Sequence, residues 1–188
     1  MRFSMRLLAA LLAWACAGAS AQDRAAALNE DHDFGIAPSA ELRLADYAAP
    51  TPREIPGAKT ISTVQLRERL AGDAAGRPVL LDVIGDAGHD SLPGAIWLPG
   101  AGRGASFDDG LQAQLAKALE QITGGDKARA LVFLCAGANC WLSYNAAQRA
   151  ARLGYSAVHW YRGGIEAWLA AGGGLAPMRI AWKRPAPD

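Results

Sequence analysis

The chain has 188 residues, about the length of one ordinary domain. Its 19 Lys and Arg residues almost balance 18 Asp and Glu residues, so the formal net charge is only +1. The sequence has no basic run of the kind that attracts nucleic acid or anionic lipid, and we expect neither as a partner.

The start of the chain has the pattern of a secretory signal peptide. A basic segment, MRFSMR, precedes an apolar stretch over residues 7–17, and an A-x-A cleavage pattern ends at Ala21. The apolar stretch is shorter than the ~20 residues that a membrane span needs, which makes a membrane anchor the weaker interpretation. Lipid attachment at Cys16 is a third interpretation. We predict that residues 1–21 direct export to the periplasm, are removed, and leave no attachment to the membrane.

Cleavage would change both the charge and the cysteine content. It removes Arg2 and Arg6, so Lys plus Arg falls from 19 to 17 against 18 acidic residues, a net charge of about −1. The mature chain keeps two cysteines, Cys135 and Cys140. Disulfides persist in export compartments, so an even number of cysteines there is compatible with a bond between them.

Composition divides the rest of the chain into three parts. Residues 22–58 are rich in Ala, Asp, Glu and Pro and have little periodicity, which predicts an extended lead-in able to pack on a domain. Residues 59–174 form that domain, and residues 175–188 form a C-terminal tail.

Within the domain, short apolar segments alternate with amphipathic ones. Ser62 and Gln65 have the spacing of a capping box before a helix that ends at Gly72. We predict further helices over residues 111–122, 141–153 and 164–171, and strands over residues 79–83, 95–98, 131–134 and 157–161. Short apolar strands alternating with helices are typical of a parallel sheet covered on both faces, so the predicted fold class is α/β.

The most informative segment joins the third of these strands to the next helix. Cys135 ends the strand and Cys140 precedes the helix, with four neutral residues between them: Ala136, Gly137, Ala138 and Asn139. A thiol at this place lies near free backbone N–H groups and a helix N-terminus, which favour the reactive thiolate. The alternatives are a buried structural Cys135 and a Cys140 that is merely a small residue at a helix start. A disulfide requires Cα atoms within ~4.4–6.8 Å of each other.

Four other residues are candidates for the same site. Asp82 lies at the carboxyl end of the strand 79–83, where it could fix a loop by hydrogen bonds or transfer a proton. Arg162 follows the strand 157–161, where it could supply positive charge or lie on the surface. Trp141 is a packing or lid residue, or else one that stacks on a cofactor ring, and His89 lies in a loop that could approach the site.

The cysteines also raise the question of metals and cofactors. Two cysteines and scattered histidines do not have the spacing of a zinc site. A soft metal such as Cu(I), held by the two thiolates with help from Met178, and a redox cofactor at the cysteine pair both stay open.

Together, several short segments resemble the rhodanese domain. They are Leu81-Asp82-Val83, Leu92-Pro93-Gly94-Ala95, a strand ending in Cys135 before a short loop, Gly154-Tyr155 with Val158, and Gly163-Gly164 with Trp168. The resemblance covers residues 60–172 and implies a three-layer α/β fold with a central parallel sheet. It also implies that Cys135 is a catalytic cysteine in a loop of converging backbone N–H groups.

A narrower resemblance concerns the leader and the motif Cys135-x4-Cys140-Trp141. Together they are similar to exported rhodanese-like proteins named for a Cys…Cys-Trp motif and associated with alcohol catabolism that depends on pyrroloquinoline quinone (PQQ). The resemblance implies a periplasmic PQQ-dependent dehydrogenase system as a partner, although nothing in the residues indicates a quinone site.

The loop departs from the family pattern in its charge. Sulfur-transferring relatives commonly carry Arg or Lys there, and phosphatase relatives need an Arg where this chain has Trp141, which excludes phosphatase chemistry. Ser91 stands where the family has a His, and His89 lies two residues earlier. Two classes of function remain: persulfide or thiol–disulfide chemistry at the cysteine pair, and a non-catalytic module that binds a metal, a cofactor or a partner dehydrogenase.

Overall fold

The computed structural model describes residues 30–85 and 88–182, and the predicted signal peptide lies outside these ranges. Its strands and helices, in chain order, are β1 (Lys59–Thr60), α1 (Thr63–Ala71), β2 (Val79–Asp82), β3 (Ile96–Trp97), α2 (Gly110–Thr123), β4 (Leu131–Leu134), α3 (Trp141–Arg152), β5 (Val158–Tyr161), α4 (Gly164–Ala170) and β6 (Arg179–Ile180). The described strands form one parallel sheet in the order β1-β5-β4-β2-β3-β6.

The helix boundaries follow the capping signals in the sequence. The capping box at the start of α1 is confirmed, because Ser62 Oγ accepts from the Gln65 N–H and Gln65 Oε1 accepts from the Ser62 N–H. At the start of α2, the Asp109 side chain accepts from the Gln112 N–H, and Gly124 ends the helix in the left-handed conformation that glycine adopts at low cost. Each of the predicted helices is found to within two residues of its expected ends.

The sheet carries apolar side chains on both faces, which confirms the three-layer α/β fold. One face, which includes Phe133 and Trp160, belongs to a core cluster with residues of α2 and α3. The other face, which includes Val132 and Tyr161, belongs to a cluster with residues of α1 and α4. The alternation arises because successive strand residues point to opposite sides of a sheet.

Two strands were not predicted. β1 and β6 have only two residues each and lie at the two edges of the sheet, paired with β5 and β3. Two residues are too few to show a period in the sequence, so these strands are defined by their partners. β6 also brings part of the predicted tail onto the domain.

The lead-in packs on α3. Residues 30–58 contain no helix or strand, yet backbone and side-chain hydrogen bonds join them to this helix. Tyr144 Oη contacts the backbone of Ser39, and the Asn145 amide contacts the backbone of Arg43. Because the sheet covers one side of α3 and the lead-in covers another, its first ten residues are all buried.

Candidate functional site: a disulfide loop at the end of the central strand

The two cysteines form a disulfide at the carboxyl end of β4. The Cα atoms of Cys135 and Cys140 are 6.2 Å apart, within the range that a disulfide requires. Cys135 is 3% exposed and belongs to the core, whereas Cys140 is partly buried and is the N-cap residue of α3. The loop between them, residues 136–139, is called the cysteine loop below.

The carbonyl groups of the cysteine loop are held from outside. Backbone oxygens of residues 135–138 each accept a hydrogen bond: Cys135 O from Ile165 N at 3.0 Å, Ala136 O from Glu166 N at 2.9 Å, Gly137 O from Cys140 N at 3.2 Å, and Ala138 O from Thr51 N at 3.1 Å and from Thr51 Oγ1 at 2.7 Å. Two of these donors belong to the first turn of α4, whose N–H groups lack partners within the helix.

Gly164 allows the first turn of α4 to lie close enough to the cysteine loop for these hydrogen bonds to form. Its φ is +58°, and a Cβ atom there would overlap the carbonyl oxygen of Cys135 and the backbone of Ala136. A side chain at this position would therefore separate the first turn of α4 from the cysteine loop.

The backbone N–H groups of the cysteine loop differ from its carbonyl groups in their hydrogen bonding. In the described part of the chain, no hydrogen bond has an N–H of residues 136–139 as its donor. The next two N–H groups are occupied, that of Cys140 by Gly137 O and that of Trp141 by Tyr47 O at 2.9 Å. Within the described residues, the four N–H groups of the loop are therefore not used in hydrogen bonds of the fold.

The side chain that lies against the loop is acidic. A Cβ atom added to Gly137 would overlap Glu166 Oε2, so the exposed Glu166 carboxylate lies against the loop. The cysteine loop itself contains no Arg or Lys. Sequence reasoning missed Glu166, since the residue lies on a different helix and nothing in its local pattern marks it.

Arg162 is neither a surface residue nor a group that lines the loop. It is 1% exposed, and its guanidinium donates to Thr51 Oγ1 at 3.1 Å, to Thr51 O at 3.0 Å and to Glu30 O at 2.7 Å. The central carbon of the guanidinium also lies 5.1 Å from the centre of the Phe34 ring. Burial lowers the pKa of Arg162 from its ordinary value. Its guanidinium therefore binds the lead-in, and its partner Thr51 in turn donates to Ala138 O in the cysteine loop.

Trp141 has a packing role rather than that of a lid. It is 4% exposed, and its indole N–H donates to Pro50 O at 3.0 Å. The Arg43 guanidinium lies 5.0 Å from its ring centre and the Tyr144 ring 4.8 Å away, edge to face. Neighbours from the lead-in and from α3 occupy the places where a cofactor ring would stack.

Asp82 is buried at the end of β2 and organises the segment that follows this strand. Its carboxylate accepts from Ile84 N at 2.9 Å, from Ser91 Oγ at 2.6 Å and from His89 Nε2 at 3.1 Å. None of these partners belongs to the cysteine loop. The loop that Asp82 fixes is therefore the one after β2, and it brings His89 toward the site.

A cleft of about 370 Å³ lies beside the cysteine loop. We call it the side cleft and define it by Ile84, His89, Ala136, Ile165 and Glu166, with Asp90 and Leu175 at its rim. Its lining includes Ala136, which follows Cys135 in the cysteine loop.

The described residues include no group of three or more His, Cys, Asp or Glu side chains that could hold a metal ion. Met178 packs against the apolar cluster on the face of the sheet opposite to the cysteines. In the same ranges, no helix is long and apolar enough to cross a membrane.

Comparison with known proteins identifies the family. The model of the rhodanese-like domain matches residues 62–171, more than half of the chain, and the chain therefore belongs to this family. No curated protein is similar enough to count as a match.

Similar solved structures include thiosulfate sulfurtransferase from Pseudomonas aeruginosa, with 20% identity and a TM-score of 0.46 over 65% of this chain and 21% of that one. Two structures of EanB variants with hercynine have 19% and 18% identity, each with a TM-score of 0.42 over 58% of this chain and 29% of the other. The chain thus spans less than a third of the length of these proteins.

Proposed function

We propose that this rhodanese-like protein performs thiol–disulfide and persulfide chemistry with Cys135 and Cys140 as a redox pair. The observation that carries the proposal is the disulfide itself, at the loop where the family has its reactive cysteine. Cys135 is the attacking thiol in the reduced protein, because it follows β4 at the position that the family resemblance assigns to the reactive cysteine. Cys140 resolves the intermediate.

The proposed reactions balance without a cofactor. In the oxidising direction, two substrate thiols become one substrate disulfide, and the cysteine pair takes up the two electrons and two protons. In the persulfide reaction, the Cys135 thiolate takes a sulfur atom from a donor persulfide and releases the donor thiol. Cys140 then attacks Cys135, and hydrogen sulfide leaves as the disulfide forms. An oxidant or a reductant of the export compartment restores the starting state.

Charge argues against transfer from an anionic donor such as thiosulfate. The cysteine loop has no cation, and Glu166 lies against it. A charge-assisted hydrogen bond contributes about 1.5–3 kcal/mol, and each ~1.4 kcal/mol of transition-state stabilisation changes a rate tenfold. We therefore expect thiosulfate:cyanide sulfurtransferase activity about tenfold to a hundredfold below that of relatives with an arginine in the loop. Equal activity would reject this part of the proposal.

The cellular setting belongs to the same proposal. The leader pattern and the Cys135-x4-Cys140-Trp141 motif support export to the periplasm and a link to PQQ-dependent alcohol catabolism. The mature N-terminus is then Gln22, and N-terminal sequencing that finds Met1 or a lipid on Cys16 would overturn export. A strain without the protein should lose growth on alcohols, and the Cys135→Ser variant should fail to restore it.

Mass spectrometry before and after alkylation tests the redox pair. We expect the protein from the export compartment to resist alkylation until it is reduced, and then to take up two alkyl groups. The oxidised protein should also react with small thiols faster than the same chain unfolded in urea. Permanent thiols, or a disulfide that reacts no faster than the unfolded one, would favour the non-catalytic binding module.

A further inference from the structure

We infer that His89, oriented by Asp82, accepts the proton of the substrate thiol as that thiol attacks the disulfide from the side cleft. The inference rests on the proposed function, and it assigns the base that the cysteine pair does not supply. Among the histidines His32, His89 and His159, only His89 lines the side cleft.

The hydrogen bonds of Asp82 determine which nitrogen of His89 carries a proton. Asp82 is fully buried and accepts from Ile84 N and Ser91 Oγ as well as from His89 Nε2. With the Asp82 carboxylate as the acceptor of this contact, His89 Nε2 carries a hydrogen and donates it. In the neutral ring, Nδ1 then carries the lone pair.

The other ring nitrogen of His89, Nδ1, lacks a hydrogen-bond partner among the described residues. The atom is also buried. The ring is held edge-on to Trp97, with centres 5.2 Å apart, so its orientation is fixed on one side by Asp82 and on the other by Trp97. Buried polar atoms are nearly always paired, and an unpaired acceptor beside a cleft is a place for a ligand donor.

In the proposed step, the substrate thiol binds in the side cleft, whose lining includes both His89 and Ala136. Its walls include the apolar side chains of Ile84 and Ile165, and it reaches Ala136, the residue next to Cys135. About 370 Å³ is enough for a small thiol or a cysteine side chain. The substrate class is therefore a small thiol with an apolar chain.

The step balances as follows. The substrate S–H gives its proton to His89 Nδ1, and the resulting thiolate forms a bond with Cys135 Sγ. The Cys135–Cys140 bond breaks, and Cys140 leaves as a thiolate at the N-terminus of α3, where the helix dipole stabilises negative charge. The imidazolium of His89 returns its proton to that thiolate or to solvent.

Charged groups of both signs lie near His89. Asp82 from β2 contacts its Nε2, and Asp90 from the same loop and Glu166 from α4 line the side cleft. The Arg103 guanidinium lies against Gly85 in the loop after β2.

The test follows the reduction of the oxidised full chain by 2-mercaptoethanol, a small neutral thiol, with the product measured by alkylation and mass spectrometry. His89→Gln keeps an N–H that can reach Asp82 and removes the base. His159→Gln is the matched control, because His159 is also buried with an unpartnered Nδ1 but lies within β5. Circular dichroism and a thermal melt check that each variant folds.

We expect His89→Gln to slow the reaction about a hundredfold at pH 7, the lower end of general-base effects. The two proteins should converge above the pKa of the reagent thiol, because a preformed thiolate needs no base. A loss that is equal at every pH would indicate a structural role and overturn the proposal, as would a variant as fast as wild type.

The wild-type protein provides a second measurement. Its rate constant, divided by the thiolate fraction of the reagent, should rise as pH falls below the pKa of the reagent thiol, because a base lets the protonated thiol react as well. A quotient that stays constant with pH would refute the inference even if His89→Gln did not fold. Failure of the proposed function gives a different result. The wild-type protein would then react with small thiols no faster than the chain unfolded in urea, and this result would also refute the inference about His89.

Discussion

Gly164→Ala is expected to loosen the contact between α4 and the cysteine loop. Gly164 has a φ of +58°, and a methyl group there would overlap Cys135 O and the backbone of Ala136. The left-handed conformation costs a non-glycine residue roughly 1–2 kcal/mol, and overpacking typically costs about 1–3 kcal/mol. Relief of the overlap would lengthen the bonds to Cys135 O and Ala136 O, now 3.0 and 2.9 Å. We therefore expect a loss of about 2–5 kcal/mol in the free energy of unfolding.

Gly154→Ala is the matched control for this prediction. Gly154 has a φ of +86°, but a Cβ atom there would have nothing within 4 Å. It therefore measures the backbone strain alone, about 1–2 kcal/mol. Urea unfolding of the oxidised proteins gives both values, and the rate of disulfide reduction shows whether the loop has moved. The reasoning is refuted if Gly164→Ala costs no more than Gly154→Ala.

Three further predictions concern charge and the thiols. Glu166→Gln should raise the rate with mercaptoacetate relative to cysteamine about two- to fivefold at low salt, because the carboxylate against the loop repels anionic thiols. Asp109→Asn should lower the free energy of unfolding at pH 7 by about 2 kcal/mol, since Asp109 pairs with the buried Arg149 at 2.9 Å. In the single serine variants, the Cys135 thiol should titrate below the Cys140 thiol and below the ordinary value of ~8.5, as the pH dependence of alkylation will show.

The loss of unfolding free energy caused by Asp109→Asn should depend on pH in a defined direction. Burial alone would raise the pKa of Asp109, but hydrogen bonds from Arg149 and from backbone N–H groups lower it overall. A lowered pKa contributes stability above the unfolded value of ~3.9, and this contribution is lost as pH falls through the folded value. The difference between wild type and Asp109→Asn should therefore shrink in acid, and a constant difference down to pH 2 would contradict this account.

The other two predictions have their own controls. Glu68→Gln removes an exposed charge from α1 and should leave the preference between thiols unchanged. An unchanged preference in Glu166→Gln would show that the carboxylate does not act on the substrate. If Cys140 titrates lower than Cys135, the roles of attacking and resolving thiol are reversed.

The sequence predicts the fold best where a few neighbouring residues are enough to determine a helix or a strand. The apolar run of β4, the capping box of α1 and the glycine after α2 are each complete within a few residues, so their elements were predicted nearly to the residue. The position of Cys135 at a strand end and of Cys140 before a helix follows from the same local signals.

The rest depends on contacts between distant segments. From the sequence, Arg162 could lie on the surface or supply positive charge to the cysteine loop. It is instead buried, because it donates hydrogen bonds to Thr51, which lies 111 residues earlier in the chain. Glu166 could not be found from the sequence, since its closeness to Gly137 depends on the close approach at Gly164. The unpaired nitrogen of His89 likewise appears only when β2 and its following loop are folded around Asp82.

The central claim is that the disulfide is a working redox pair rather than a structural bond, and its reduction potential tests this most directly. The full chain is equilibrated with glutathione buffers of known potential, and the fraction of disulfide is measured by alkylation and mass spectrometry. We expect one two-electron transition between about −120 and −270 mV, the range of catalytic dithiols. A midpoint below about −300 mV, typical of structural disulfides, would contradict the account.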